Sequence, residues 1–195
     1  MNKITLFTPL FLLATAACSD VEKDGEDGHD HHDHEVISTV VLDFSDAEGN
    51  AQEIRWTEDD GQEQDIVLTN GTTYNLSISA LNEYEKPAED ITKEIRQEGD
   101  EHQVFFTGSA LDDGLIEYTY LDSDDEGLPL GLENSIDALV ADTGTFTVTL
   151  RHLALEDGNK VKRAGMAEDV AAEGLSGISG EGDNDFSIDF SITVQ

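Results

Sequence analysis

Beyond residue 35, apolar and polar positions alternate along most of the chain, the period of a half-buried strand. Residues 36–44 are rich in β-branched side chains and run into an acidic turn over 45–50. A second run, 51–57, sets Ile54 and Trp56 on one face. A short run at 64–68 follows, and Asn70-Gly71 marks a turn. Over 73–81 the alternation turns Tyr74, Leu76, Ile78 and Ala80 inward. Further strands are expected at 103–107, 115–121, 146–152 and 186–194, with a ninth at 128–136 from Leu128, Leu130 and Leu132. Short strands at this spacing predict an all-β fold, an antiparallel β-sandwich of about 7–9 strands. The pattern changes in two places. Pro87, the Ile91/Ile95 spacing and a Glu89–Lys93 pair predict one short helix over 87–97. Residues 156–182 are rich in Gly, Ala and Glu and read as a loop insertion, with a helix candidate at 164–173. The aromatic rings of Trp56 and Tyr74 are expected in the core.

The first 35 residues do not follow this pattern. Lys3, an apolar stretch over 6–14 and the small residues Thr15-Ala16-Ala17 make a secretory signal, too short to span a membrane. Cys18, the one cysteine in the chain, stands where cleavage would fall, as in a lipobox. Signal removal at residue 17 would leave Cys18 N-terminal and lipidated, and several acyl chains suffice for stable membrane attachment. In lipoproteins with this arrangement, Ser19 after the cysteine implies the outer membrane. Residues 18–35 form an acidic tether without apolar period, and 36–195 the folded domain.

Charge narrows the function classes. With 10 Lys and Arg against 44 Asp and Glu, the net charge is −34. That balance argues against nucleic acid and against anionic headgroups as partners of a basic patch. An apolar content of 37% with 17 glycines is nevertheless that of a folded chain. A single cysteine excludes an internal disulfide and cysteine-rich zinc knuckles.

Candidate chemistry lies in histidines and acidic turns. The tether carries His29, His31, His32 and His34, and residues two apart share a side of an extended chain. Imidazoles beside carboxylates suit zinc and related divalent ions. His102 follows Asp100-Glu101 and His152 closes the 146–152 strand; should those ends meet, they form a His/His/carboxylate site. Asp122, Asp124 and Glu126, with Gly127 and Glu133, fall at positions 1, 3, 5, 6 and 12 of a calcium-loop pattern. Strand-like flanks argue against an EF-hand and leave a solvated acidic turn, with a calcium-stabilised loop as the alternative. Asp183-Asn184-Asp185 is a weaker version. Gly-x-Ser-x-Gly, Walker-type and His-Glu-x-x-His patterns are absent, so an enzyme is not expected.

Several stretches together carry a family resemblance. They are Ala17-Cys18-Ser19, the 35–40 start, Leu81-Asn82-Glu83, residues 90–95, the 98–106 run around His102, residues 128–132, and Thr149-Leu150-Arg151-His152. The chain resembles small lipoproteins of Gram-negative bacteria labelled "type 1 periplasmic binding fold superfamily protein", over most of 35–155 and the last strand. That label implies a doubly wound α/β fold, whereas the strand pattern points to a sandwich. The resemblance also implies an envelope lipoprotein working beside a TonB-dependent outer-membrane receptor, with no catalytic residues. The expected function is therefore metal capture, zinc above all, for uptake through such a receptor. The alternative is a structural or protein-binding envelope module, with calcium at most stabilising a loop.

Overall fold

The structure, a computed structural model, describes residues 36–62, 64–154 and 161–195. Cys18 and the tether histidines His29, His31, His32 and His34 lie outside the described residues. The alternating runs become strands in two sheets. The larger is built from β1 (Thr39–Asp46), β2 (Ala51–Thr57), β3 (Gly61–Gln62), β5 (Thr73–Asn82), β8 (Ile116–Tyr120) and β9 (Glu133–Ala138), in the order β3-β2-β1-β5-β9-β8. A two-residue strand, β6 (Glu89–Asp90), pairs with the end of β5. The smaller sheet has the order β4-β11-β10-β7, from β4 (Ile66–Leu68), β7 (His102–Thr107), β10 (Thr143–His152) and β11 (Asp183–Val194). All pairings are antiparallel except β4 with β11. The all-β sandwich is therefore as the alternation predicts.

The inward faces meet in one core. Val40, Leu42, Phe44, Ile54, Leu76 and Ile78 of the larger sheet pack with Val104, Phe106, Phe146, Val148, Leu150 and Phe190 of the smaller. Tyr74 is buried in this core, and Trp56 packs half-buried against it. The smaller sheet is also covered on its outer face. The insertion folds there as helix α3 (Met166–Glu173) and a 3-10 turn (Gly174–Ile178). Met166 and Val170, four apart on one helix face, join Ile178 against Phe105 and Leu153. Burial on both faces is why β7 loses the polar alternation of a half-exposed strand.

Three local readings change. The helix expected over 87–97 is confined to α1 (Thr92–Gln97), because the Thr92 hydroxyl bonds the backbone of Ala80 and residues 89–90 pair with β5. Lys93 pairs with Asp90 at 2.9 Å, not with Glu89. The ninth strand begins at Glu133 rather than 128. Pro129 has no N–H for a ladder, and Gly131 takes a left-handed φ of 88° where a Cβ would lie 2.8 Å from Tyr120. Leu130 and Leu132 are still buried, through an irregular segment bonded to Val104 and Ile78. A one-turn helix, α2 (Ser109–Asp112), has no apolar period to announce it.

Candidate metal centre

Antiparallel pairing of β7 and β10 brings two histidines together. His102 opens β7 and His152 closes β10, and the register makes them direct cross-strand partners. Their rings stack with centroids 4.7 Å apart and 23° between planes. Both side chains are buried, His102 completely.

The carboxylate comes from an irregularity in β11. Leu150 pairs with Phe186 and Arg151 with Asn184, so Asp185 is an extra residue on its strand. Such a bulge re-aims a side chain that regular alternation would send outward. The Asp185 carboxylate is fully buried, with Oδ2 3.6 Å from Nε2 of His102. One ligand-capable atom each from His102, His152 and Asp185 lies within 4.8 Å of the others. This buried trio is an arrangement that could hold a metal ion.

The surroundings orient the trio. His102 Nδ1 lies 3.1 Å from the carbonyl oxygen of Glu98. A carbonyl only accepts, so Nδ1 carries the proton and, in the neutral ring, Nε2 holds the lone pair on the side of Asp185. Glu101 Oε2 stands 3.6 Å from Nε2 of His152, and its side chain is partly exposed. On the opposite face of β10, Arg151 donates to the carbonyls of Glu181 and Gly182 and to Oδ1 of Asn184. These bonds tie the start of β11 to β10 and fix the bulge. Burial pushes the Arg151 guanidinium down, opposed by Asp183, Glu181 and Asp185.

Gly182 makes the closest backbone approach. A Cβ there would meet the His152 carbonyl oxygen at 2.0 Å, and its φ is 75°. Gly182→Ala is therefore expected to destabilise the fold by about 1–3 kcal/mol, a strain that denaturant unfolding would register.

Comparison with family models, curated proteins and solved structures gives no match. The reading of the site therefore stands on its geometry.

The condition set by the sequence, that the ends carrying His102 and His152 meet, is fulfilled. The carboxylate within the trio is Asp185 rather than one from Asp100-Glu101, and Glu101 approaches the other histidine. Asp183-Asn184-Asp185, read as a weaker version of the calcium-loop pattern, supplies it instead.

The calcium-loop carboxylates have other partners. Asp122 accepts from the N–H groups of Gly131 and Leu132 and lies 3.6 Å from Arg96. Asp124 accepts from the N–H groups of Glu126 and Leu128 and pairs with the buried Lys162 ammonium at 2.9 Å. Glu133 binds Arg96 at 2.8 Å and accepts from Ser77. Protein cations and amides therefore hold Asp122, Asp124 and Glu133, three of the four carboxylates in the calcium-loop pattern. Among the described residues, only the His102 trio gathers three ligating side chains closely enough for a metal.

Proposed function

We propose that this chain is a lipid-anchored envelope protein that binds a divalent transition ion, zinc first, and assists its uptake through an outer-membrane receptor. The observation that carries this reading is the buried convergence of His102, His152 and Asp185. Two imidazoles and a carboxylate suit zinc and its neighbours better than calcium or magnesium, which prefer all-oxygen shells. The Glu98 carbonyl presets the tautomer of His102 for ligation, as outer-shell acceptors do at metal sites. The net charge of −34 raises the local cation concentration. In this reading His29, His31, His32 and His34 gather ions near the membrane and the sandwich holds them more tightly. The Ala17-Cys18-Ser19 signal and the resemblance to small envelope lipoproteins support the anchoring and the receptor partner.

A ligand that binds only the folded state raises its stability. Zinc in about hundredfold excess over its Kd adds about 2.7 kcal/mol, which for a domain of this size raises the melting midpoint by about 5–10 °C. Calcium gives no such rise. An unchanged midpoint with zinc would overturn the reading and leave a structural or protein-binding envelope module. The uptake half is checked by growth of a deletion strain under zinc limitation, where impaired growth restored by added zinc is expected.

A further inference from the structure

The trio leaves open what completes the ion's shell. A structural or storage zinc site has four protein ligands, whereas a catalytic one keeps a position for water. We infer that Glu101 is the fourth ligand and the door of the site, an assignment that rests on metal binding at His102, His152 and Asp185.

Each histidine has its own carboxylate at the same separation. Asp185 Oδ2 is 3.6 Å from His102 Nε2, and Glu101 Oε2 is 3.6 Å from His152 Nε2. The two histidines are cross-strand partners, so the two His–carboxylate pairs lie side by side. Together they offer two nitrogens and two oxygens, enough to close a tetrahedron once Glu101, which stands outside the 4.8 Å group of the other three, swings inward. The four side chains differ in access. Those of His102 and Asp185 are 0% exposed and that of His152 is 8% exposed, while that of Glu101 is 30% exposed. An ion arriving from solvent meets the Glu101 carboxylate before the inner ligands, and one leaving passes it last.

The backbone at Glu101 is held while its side chain remains at the surface. Glu101 donates its N–H to Glu98 and accepts from the N–H of Leu153, the residue after His152. Lys162 fastens the same turn by donating to the carbonyl of Gly99 at 2.7 Å. A carboxylate on a fixed backbone can swing by side-chain rotation alone, without moving either sheet. The site is thereby suited to capture and release of an ion, with no coordination position reserved for a reacting water.

The test uses the full chain with His29, His31, His32 and His34 replaced by glutamine as its wild-type reference, cobalt(II) as a spectroscopic probe and zinc competition against a chelator. Glu101→Gln is compared with Asp100→Asn, which removes the same charge one residue away. Four-coordinate cobalt gives intense visible bands and higher coordination gives weak ones. Wild type and Asp100→Asn should show the intense spectrum. Glu101→Gln should lose it, bind zinc more than about 100-fold more weakly, beyond the loss typical of an outer-shell partner, and release it faster to chelator. Equal spectra and affinities for wild type and Glu101→Gln would overturn the assignment of Glu101 alone. So would equal weakening by Asp100→Asn, which would mean a field effect rather than ligation. No binding by the wild type would overturn the metal site itself, and this assignment with it.

Discussion

His152→Gln is expected to weaken zinc binding by the folded domain by more than about 100-fold, beyond the roughly 10–100-fold typical of outer-shell partners. The cause is geometric. His152 stands opposite His102 in the ladder and beside Glu101, so its loss leaves one imidazole and removes the contact through which Glu101 reaches the site. Glutamine keeps most of the volume and a polar end, so circular dichroism should show an unchanged fold. Chelator competition checks the affinity. Retention of wild-type affinity in a folded His152→Gln protein would exclude this residue as a ligand.

The second large effect concerns stability. Lys162 and Asp124 form an ion pair whose side chains are 1% and 2% exposed. Burial pushes the Lys162 ammonium down, against the pull of Asp124. Asp124 is also desolvated, yet Lys162 and the N–H groups of Leu128 and Glu126 hold its carboxyl below the ordinary 3.8. Removing one partner of a buried pair leaves the other charge in a medium that solvates it poorly. Lys162→Met should therefore cost about 3–5 kcal/mol, or about 6–20 °C in the melting midpoint. The double variant Lys162→Met/Asp124→Asn should recover much of that loss, because asparagine removes the unpaired charge and keeps an oxygen for the N–H groups of Glu126 and Leu128. Thermal unfolding of the three variants measures this, and a double variant no better than Lys162→Met would contradict it.

The same pair sets a dependence on acid. A carboxyl whose folded value is depressed contributes fully above its unfolded value, and that contribution fades as pH falls toward the folded value. The Asp124 contribution should thus be complete above about pH 4 and be lost below it. Asp124→Asn should flatten the fall in stability over that acid range. An unflattened curve would show that other carboxylates govern acid unfolding.

How much of this was legible in the sequence follows from what each feature depends on. Strands depend on a local period, so Tyr74, Leu76, Ile78 and Ala80 announce their inward face directly. The pairing of His102 with His152 was legible as a condition, because each closes one end of a strand. Asp185 was not. The even positions Phe186, Ile188 and Phe190 set the inward face, so alternation sends residue 185 outward, and no local signal marks the bulge that turns it back. The partners of the acidic turn at 122–126 were hidden for a related reason. Its spacing is that of a calcium loop, but its counter-charges are Arg96 and Lys162, both outside the turn. Lys162 lies in the Gly/Ala/Glu-rich insertion, where no period marks it as buried.

Zinc-edge X-ray absorption bears most directly on the metal centre. It would use the zinc-loaded full chain with His29, His31, His32 and His34 replaced by glutamine, so that only the folded domain offers imidazoles. The expected result is retained zinc with two imidazole nitrogens and carboxylate oxygens at about 2.0–2.2 Å. Loss of the zinc with the tether histidines, or a shell without imidazole, would contradict a metal site at His102, His152 and Asp185.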